Sequence, residues 1–541
     1  MTDLLPLPRV VDLTGGSFEL APGAAISGDG ELVDGLRAAL SVLDLRIVDG
    51  GGAVTVRRDP GLGAEAYTLT VDPGGVRVTA ADRAGAFYAG QTLRQLLPPD
   101  AYRSVRPRTP WTIPGVRVED APRCSWRGMH LDVARHFLPK QDVLRHIDIM
   151  AAHKLNILHL HLVDDQGWRV ESRAYPKLHE VGSHRPRTIS SYYGEEVTYD
   201  EVPHGGRYTL ADLAEIAEYA RSRSVTVVPE IDVPGHASAL VAAYPQYGAR
   251  PQETFPVLDR WGISPTILSP LPATVDFLTT VLDEVAGALG GAPFFHIGGD
   301  ECVLDDWAAS AEIDDYRRSL GLDTPAELHA WFLRRLADEL AGRGTRAVVW
   351  DEAFVSGELR ADTVVMPWRG MGVARRVAAA GYDVVITPVF PLYFDYGESD
   401  GAEEPLAIGA PTTLADVAAF EVIPESWTAA ERARVLGAQA QHWSERIPDA
   451  RTLDYRAWPR GAALAEITWH GRPADLTGRL GAHLARLDAL GVEYRPPQGP
   501  RPWQRGGIGR RRHRPGVVNV VEMMRHVEEM TNSADSTRPS M

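Results

Sequence analysis

The sequence predicts an α/β protein in which a (β/α)8 TIM barrel follows a small α+β N-terminal domain. Between residues 119 and 495, short apolar runs typical of buried strands alternate with stretches of helical periodicity. We count eight such runs, the number that closes a (β/α)8 barrel. Residues 1–118 lack this alternation and combine strand-like runs with one helical pattern, at 67–71, 76–80 and 84–97.

The predicted elements of the barrel follow one another in chain order. Strands are expected at 128–133, 157–163, 225–231, 294–297, 347–350, 364–367, 384–387 and 436–443. Helices are expected at 140–154, 210–223, 325–343, 373–380, 457–469 and 477–490. Because crossovers separate the strands, a parallel sheet is the natural arrangement. Loops and short elements at the mouth of the barrel are expected in the long gaps at 170–208 and 234–293.

Length and charge limit the classes of function. At 541 residues the chain is long enough for about two to four domains. Its formal net charge of -16 argues against a general affinity for nucleic acid or anionic membranes, and a neutral or basic small substrate fits better. We see neither a secretory leader pattern nor a run of about 20 apolar residues. A cytoplasmic protein is therefore expected, with secretion as the alternative, and the oligomeric state is left open.

The last segment, residues 496–541, differs in composition from the rest. Pro, Arg and Gly dominate 495–515, which includes the basic run 510–514, and the final residues are polar. This composition predicts a disordered basic and polar tail with one short helical pattern at 518–530.

Residues 294–301 end a predicted strand with two glycines and two acids, Gly298, Gly299, Asp300 and Glu301. The carboxyl ends of barrel strands are where reactive side chains gather, and glycine lets a ligand or another backbone approach closely. Successive side chains of an extended segment point to opposite sides. The two acids are therefore not expected to face each other across one bond, as a two-carboxylate glycosidase requires at roughly 5 to 10 Å. If both act on one substrate, they contact different parts of it.

Polar and aromatic residues stand at nearly all the predicted strand ends. Aromatic faces stack on pyranose rings, while arginine and carboxylate groups bind hydroxyls. The pattern predicts a carbohydrate pocket that draws on Arg127, Arg135, Asp164, Glu230, His236, Asp300, Glu301, Trp350, Trp368, Tyr393, Asp395, Trp443 and Glu445.

These residues resemble the β-N-acetylhexosaminidases of glycoside hydrolase family 20. The motifs that carry the resemblance are His-x-Gly-Gly-Asp-Glu at 296–301, Arg-Gly at 127–128 with Leu-Asp-Val-Ala-Arg-His at 131–136, His-x-His-x-Val-Asp-Asp-Gln at 159–166, and Pro-Glu-Ile-Asp-x-Pro-Gly-His at 229–236. The resemblance covers about residues 1–495 and leaves the tail unexplained. It implies a retaining exo-glycosidase without a cofactor, which removes terminal β-linked N-acetylglucosamine or N-acetylgalactosamine from oligosaccharides or glycoconjugates by substrate-assisted catalysis.

The resemblance also implies a role for each matching residue. Glu301 is expected to act as general acid and then general base, Asp300 to bind the N–H of the 2-acetamido group, and Tyr393 to donate to its carbonyl oxygen. Three tryptophans are expected to wall the sugar, namely Trp350, Trp368 and Trp443. Sugar hydroxyls are expected to bind Arg127, Asp395 and Glu445. Asp164 and His236 are counted with the sugar site and are expected to support it from behind, as are His296 and Glu230.

Other interpretations stay open at this point. His159 and His161, with His236 and His296, are candidates for zinc ligands, which would make the protein a metal-dependent barrel hydrolase, although we expect no metal. A catalytically silent sugar-binding protein is the second alternative. Arg127 has a structural alternative, which is to balance a buried acid such as Asp164. The sequence does not distinguish gluco from galacto substrates, or chitin fragments from the ends of glycans.

Overall fold

The structure is a computed structural model that describes residues 3–103, 105, 110–191, 195–471 and 475–505. The basic run 510–514 and the helical pattern 518–530 therefore lie outside the described residues. Among the described residues, no helix is both long and apolar enough to cross a lipid bilayer.

The first domain is a mixed seven-stranded sheet with two helices packed on it. Its elements are β1 (Val10–Leu20), β2 (Ala25–Gly28), β3 (Arg46–Ile47), β4 (Val54–Arg58), β5 (Tyr67–Asp72), β6 (Gly75–Ala80), β7 (Trp111–Asp120), α1 (Gly30–Ala39) and α2 (Arg83–Gln95). The strand order is β1-β7-β5-β6-β4-β2-β3. In β5 the alternate residues Tyr67, Leu69 and Val71 are buried, because successive side chains of a strand point to opposite faces. The predicted α+β domain is confirmed.

A closed barrel of eight parallel strands follows. The strands of this part are β8 (Trp126–Asp132), β9 (Ile157–His161), β10 (Val163–Asp164), β11 (Gly167–Trp168), β12 (His184–Arg185), β13 (His204–Gly205), β14 (Thr226–Glu230), β15 (Phe294–His296), β16 (Arg346–Trp350), β17 (Val364–Met366), β18 (Asp383–Ile386) and β19 (Val435–Ala440). The barrel consists of β8, β9 and β14 to β19, and β19 closes it by pairing with β8. Each of these strands coincides with one predicted run, so the TIM barrel is confirmed. The short strands β10 to β13 form two small antiparallel pairs outside the barrel.

Helices surround the barrel and lie between its strands. In the described part of the chain they are α3 (Lys140–Ala152), α4 (Lys177–Glu180), α5 (Leu210–Ser222), α6 (Ser238–Ala243), α7 (Pro272–Ala288), α8 (Asp305–Ala309), α9 (Ala311–Ser319), α10 (Pro325–Ala341), α11 (Asp351–Ser356), α12 (Met371–Ala379), α13 (Val389–Leu392), α14 (Leu414–Ala419), α15 (Ala429–Ala433), α16 (Ala450–Ala457), α17 (Arg460–Trp469) and α18 (Leu476–Leu490). Capping boxes open α5 and α10, at Thr209 with Asp212 and at Thr324 with Glu327.

Helix α7 corrects the prediction that residues 234–293 contain only loops and short elements. It is 17 residues long and begins with Pro272 in its first turn, a position that tolerates proline because its N–H has no partner within the helix. Its buried residues include Val275, Leu278, Leu282 and Val285, which follow the helical spacing of three and four. The helix is the crossover between β14 and β15 that a parallel pair requires.

A buried polar network joins the two domains at the amino end of the barrel. Lys154 Nζ donates to the hydroxyl of Tyr67 and to Asp120 Oδ2, both at 2.9 Å. The other carboxylate oxygen of Asp120 accepts from Trp469 Nε1 at 2.9 Å. Lys154 is fully buried, so its charge depends on this partner from the first domain.

Arg127 belongs to the same seam, and the prediction that it binds sugar hydroxyls is wrong. It lies near the start of β8 and is fully buried. Its guanidinium donates to both carboxylate oxygens of Glu65, at 2.8 and 3.2 Å, and to the hydroxyl of Tyr88 at 3.0 Å. Because the ligand face of a TIM barrel is the carboxyl end of the strands, this side chain is on the opposite face. The alternative of balancing an acid holds, but the acid is the partly buried Glu65 rather than Asp164.

We therefore expect Arg127→Met to lower the free energy of unfolding by about 3 kcal/mol, because it leaves Glu65 without its cation in a mostly buried seam. Urea unfolding followed by tryptophan fluorescence measures this change. Arg117→Met is the matched control, since Arg117 pairs with Glu119 in an exposed position where an ion pair contributes little. Equal unfolding midpoints for the two variants would contradict the assignment.

Candidate active site

Asp300 and Glu301 lie in the loop that follows β15, with three residues between the strand and Asp300, at the carboxyl end of the barrel. The preceding glycines adopt left-handed conformations, with φ of 67° at Gly298 and 99° at Gly299. A Cβ on Gly298 would lie 1.6 Å from a carboxylate oxygen of Asp232, so this contact requires glycine. Glu301 also has a positive φ of 48°. Such a conformation is uncommon for a residue with a Cβ, and residues that adopt it are concentrated at functional sites.

The two carboxylates differ in exposure but share one imidazole. The side chain of Asp300 is 11% exposed, whereas that of Glu301 is 32% exposed. His236 Nε2 lies 3.7 Å from Asp300 Oδ2 and 3.5 Å from Glu301 Oε2. A ligand in this position would meet Asp300 as a buried binding group and Glu301 as a group that can exchange a proton with water.

Behind His236, hydrogen bonds lead into the barrel. His236 Nδ1 is 3.2 Å from Asp164 Oδ1, and the other oxygen of Asp164 is 2.8 Å from His161 Nε2. The second ring nitrogen of His161 contacts Glu230. Burial lowers the pKa of His236, but the carboxylates of Asp164 and Asp300 outweigh it and hold this pKa well above its usual value. His236 is therefore a cation beside both acids.

Glu230 lies beneath the pocket and fixes an aromatic wall residue. Its Oε1 accepts from Trp350 Nε1 at 3.0 Å and lies 2.8 Å from His296 Nδ1. Burial raises the pKa of Glu230, but the imidazoles of His296 and His161 outweigh it and hold the pKa well below its usual value. The carboxylate is thus ionised and orients the indole of Trp350, so the structure brings Glu230 and His296 together where a supporting role was predicted.

Asp300 is paired with a second buried acid, Asp232. Burial raises the pKa of Asp300 well above its usual range, and the charge of Asp232 raises it further, while His236 opposes both. Burial also raises the pKa of Asp232 to about 7. Asp232 Oδ1 accepts the N–H of Gly299 at 3.2 Å. Within the described parts of the chain, the buried Asp300 Oδ1 has no hydrogen-bond partner. Because such an oxygen is costly to bury, a ligand that brings an N–H or O–H group is favoured here.

Aromatic side chains from the later strands cluster beside these acids, and of these Trp350 is fully buried. The ring centres of Trp443 and Trp350 are 5.9 Å apart, and those of Trp443 and Tyr393 are 6.4 Å apart. Trp368 packs against the same cluster, and its Nε1 donates to Glu352 at 2.9 and 3.1 Å. The structure therefore brings all three predicted wall tryptophans together with Tyr393. Glu352, which orients Trp368, had no predicted role.

Two further acids, Asp395 and Glu445, stand near these rings. Burial raises the pKa of both, and for Asp395 the charge of Glu445 adds to the effect. Asp395 Oδ1 and Glu445 Oε2 are buried oxygens that lack a hydrogen-bond partner among the residues that the structure describes. Carboxyl groups with raised pKa values both donate to and accept from hydroxyls, which suits a sugar.

Arg135 supplies the cation that the sequence prediction assigned to Arg127. It follows the carboxyl end of β8, and its Nη2 is 2.8 Å from Asp164 Oδ2. Its guanidinium carbon lies 5.0 Å from the centre of the Trp443 ring, within range of a cation–π contact. Strand direction was the missed signal, because a residue after the end of a strand faces the pocket and one at its start does not.

Several histidines lie close to acidic residues in the barrel, as a zinc site would require. His161, His236 and His296 each place a ring nitrogen 2.8 to 3.2 Å from a carboxylate, which is hydrogen-bond distance. Among the described residues, His130, His159 and Glu230 form one of four buried groups whose candidate ligand atoms lie within 4.8 Å of one another. A chelator assay is the direct test of this alternative.

Family models match nearly the whole described chain. Residues 124–472 match "Glycosyl hydrolase family 20, catalytic domain", and residues 1–121 match "Glycosyl hydrolase family 20, domain 2". A β-hexosaminidase of Porphyromonas gingivalis is 38% identical over 525 residues, which are 93% of this chain and 65% of that protein. This chain thus spans slightly less than two thirds of that relative. A β-N-acetylhexosaminidase of Cellulomonas fimi is 33% identical over 472 residues, which are 84% of this chain and 85% of that protein.

Solved structures agree with these matches. The exo-β-N-acetylglucosaminidase from Vibrio harveyi, in complex with N-acetylglucosamine, is similar with a TM-score of 0.82 and 31% identity, covering 92% of this chain and 78% of that one. The N-acetyl-β-hexosaminidase from Streptomyces plicatus has a TM-score of 0.78 and 30% identity, covering 92% of this chain and 97% of that one. With both of its domains matched and its pocket built from the family's motifs, the chain belongs to glycosyl hydrolase family 20.

Proposed function

We propose that this protein is a β-N-acetylhexosaminidase, which removes terminal β-linked N-acetylglucosamine or N-acetylgalactosamine from oligosaccharides and glycoconjugates with retention of configuration. The observation that carries the proposal is the unequal pair at His236, in which a buried Asp300 with an unpartnered oxygen stands beside a partly exposed Glu301. The N-acetylglucosamine bound to the Vibrio harveyi enzyme supports the choice of sugar.

The first step needs a proton for the leaving group. Glu301 is exposed enough to reach the glycosidic oxygen at the mouth of the pocket. It gives its proton to this oxygen as the bond to the anomeric carbon breaks. The His236 cation, 3.5 Å away, stabilises the carboxylate that remains.

The attacking group comes from the substrate. The carbonyl oxygen of the 2-acetamido group forms a bond to the anomeric carbon as the leaving group departs, and a cationic oxazolinium ring results. Asp300 accepts the acetamido N–H with its unpartnered oxygen and stabilises the positive charge. The hydroxyl of Tyr393 donates to the acetamido oxygen and orients it.

Water completes the reaction. Glu301, now a carboxylate, takes a proton from a water molecule that attacks the anomeric carbon and reopens the oxazolinium ring. Each displacement inverts the anomeric centre, so two in succession retain its configuration. The sugar hydroxyls bind Asp395, Glu445 and Arg135, and the partly exposed rings of Trp368 and Trp443 stack on the pyranose, with Trp350 packed behind them.

The decisive experiment compares aryl β-glycosides with and without the 2-acetamido group. We expect kcat/KM to be more than about 1,000-fold higher with the acetamido group, because an intramolecular nucleophile has a high effective concentration. Progressive fluorination of the acetyl group should lower the rate, since fluorine withdraws electrons from the attacking oxygen. A strong chelator should leave the rate unchanged. Comparable cleavage of the plain glucoside would refute the mechanism, and loss of activity on chelation would favour the metal-dependent hydrolase.

Glu301→Gln should lower kcat by about 100- to 10,000-fold on a glycoside with a poor leaving group, because the transferable proton is lost. With a dinitrophenyl leaving group, which needs no proton, the loss in the first step should be much smaller. Glu312→Gln, at an exposed position on α9, is the matched control. Equal losses for good and poor leaving groups would remove Glu301 from the role of general acid.

Asp232→Asn should shift the acid limb of the pH profile of kcat/KM to lower pH. Asp300 must be ionised to hold the developing cation, and the charge of Asp232 helps to raise the pKa of Asp300. Removing that charge lowers this pKa, while the amide oxygen of asparagine can still accept the N–H of Gly299. The control is Asp259→Asn, which removes an acid that pairs with Arg187 and contacts neither Asp300 nor Glu301 in the described structure. It should leave the acid limb of the pH profile unchanged. An unmoved limb in Asp232→Asn, or one displaced to higher pH, would contradict this coupling.

A further inference from the structure

We propose that Arg460 is a positioning residue that sets the place of Tyr393 and Asp395 by binding the main-chain carbonyls on both sides of Asp395. The proposal rests on the function proposed above, because it assigns its effect to the contacts of these two residues with the substrate. Arg460 itself touches neither the sugar site nor the reacting atoms.

The geometry is that of a guanidinium clamp. Arg460 opens α17 and is fully buried. Its Nη2 donates to the carbonyl of Phe394 at 2.6 Å, and its Nη1 donates to the carbonyl of Tyr396 at 2.9 Å. These carbonyls belong to the residues immediately before and after Asp395.

The remaining N–H groups of Arg460 also bind main chain. Nη1 donates to the carbonyl of Thr412 at 3.0 Å, while Nη2 and Nε donate to the carbonyl of Arg456 at 2.6 and 3.2 Å. The nearest carboxylate oxygen paired with Arg460, on Glu398, is 3.6 Å from Nε. All five N–H groups are thus used on carbonyl oxygens in a planar fork, which the single ammonium group of lysine does not reproduce.

On its other side, the segment around Asp395 is held by Gln441, the residue that follows β19. The N–H of Phe394 donates to the carbonyl of Gln441 at 2.7 Å, and the N–H of Gln441 donates to the carbonyl of Leu392 at 2.8 Å. The segment therefore lies between β19 and Arg460.

Asp395 depends on this main-chain support. Its Oδ1 has no protein partner within the described chain, so that oxygen has no side-chain bond to hold it. A displacement of about 1 Å in a group that orients a substrate can cost about 100-fold in rate. Loss of the hydrogen bonds of Arg460 should therefore displace Tyr393 and Asp395 together.

The test is Arg460→Lys, with kcat and KM measured on the aryl N-acetyl-β-glucosaminide. We expect kcat/KM to fall by about 100-fold. The matched control is Arg456→Lys. Arg456 is equally buried and donates to the carbonyls of Pro405 and Leu406, at 3.0 and 2.7 Å, ten residues further along the same loop. This variant should lose comparable thermal stability but far less activity.

A double-mutant cycle separates positioning from general damage. In a Tyr393→Phe, Asp395→Asn background, the further effect of Arg460→Lys should shrink to within about twofold, because the groups that it positions are already altered. Arg460→Gln, which leaves no buried cation unpaired, takes the place of the lysine variant if that protein does not fold.

The outcomes are distinct. The proposal is overturned if Arg460→Lys is as active as Arg456→Lys. It is also overturned if Arg460→Lys lowers kcat/KM by the same factor in the Tyr393→Phe, Asp395→Asn background as in the wild-type protein. Failure of the function itself looks different, since the wild-type protein would then not prefer the acetamido substrate, or the Tyr393→Phe, Asp395→Asn protein would be as active as wild type.

Discussion

The pocket depends on burying more carboxyl groups than the surrounding cations neutralise. Asp164 and Glu230 are matched by His161, His236 and Arg135, which keep them ionised. A second set has raised pKa values because burial penalises its charged form, and this set consists of Asp232, Asp300, Asp395 and Glu445. In the reaction that we propose, these carboxyl groups bind the hydroxyls of a sugar and the positive charge that develops on it. On that proposal, the free-energy cost of burying these carboxyl groups favours the transition state of glycoside cleavage.

Much of this arrangement could be predicted from the sequence, because local patterns carry it. The apolar runs predicted all eight barrel strands, and the residues after them predicted which side chains meet at one face. The error at Arg127 shows the limit of this argument. Arg127 and Arg135 are eight residues apart in the chain. Arg127 lies near the start of β8 and Arg135 lies in the loop after it, so the two side chains are at opposite ends of the barrel. Proximity in sequence was not sufficient to assign the site.

Other features depend on contacts between distant parts of the chain. Asp232 fits against Gly298 only because β14 and β15 are neighbours, and Glu352 meets the indole of Trp368 from the end of the adjacent strand. The carbonyls bound by Arg460 lie up to 66 residues away in the chain. The hydrophobic periodicity of the sequence does not predict such long-range pairs. Helix α7 differs, because its apolar residues follow the helical spacing of three and four and are visible in the sequence itself.

The seam beneath the barrel has a consequence for how such a protein can be divided. Lys154 and Arg127 belong to the barrel, whereas their partners Asp120 and Glu65 belong to the strands and turns of the first domain. Excising the barrel would strip two interior cations of their counterions and expose the ring of Trp469 that lies over both. The barrel is therefore not an independent folding module. A chimaeric protein that contains it must also contain the first domain, or must have the residues at the amino end of the barrel redesigned.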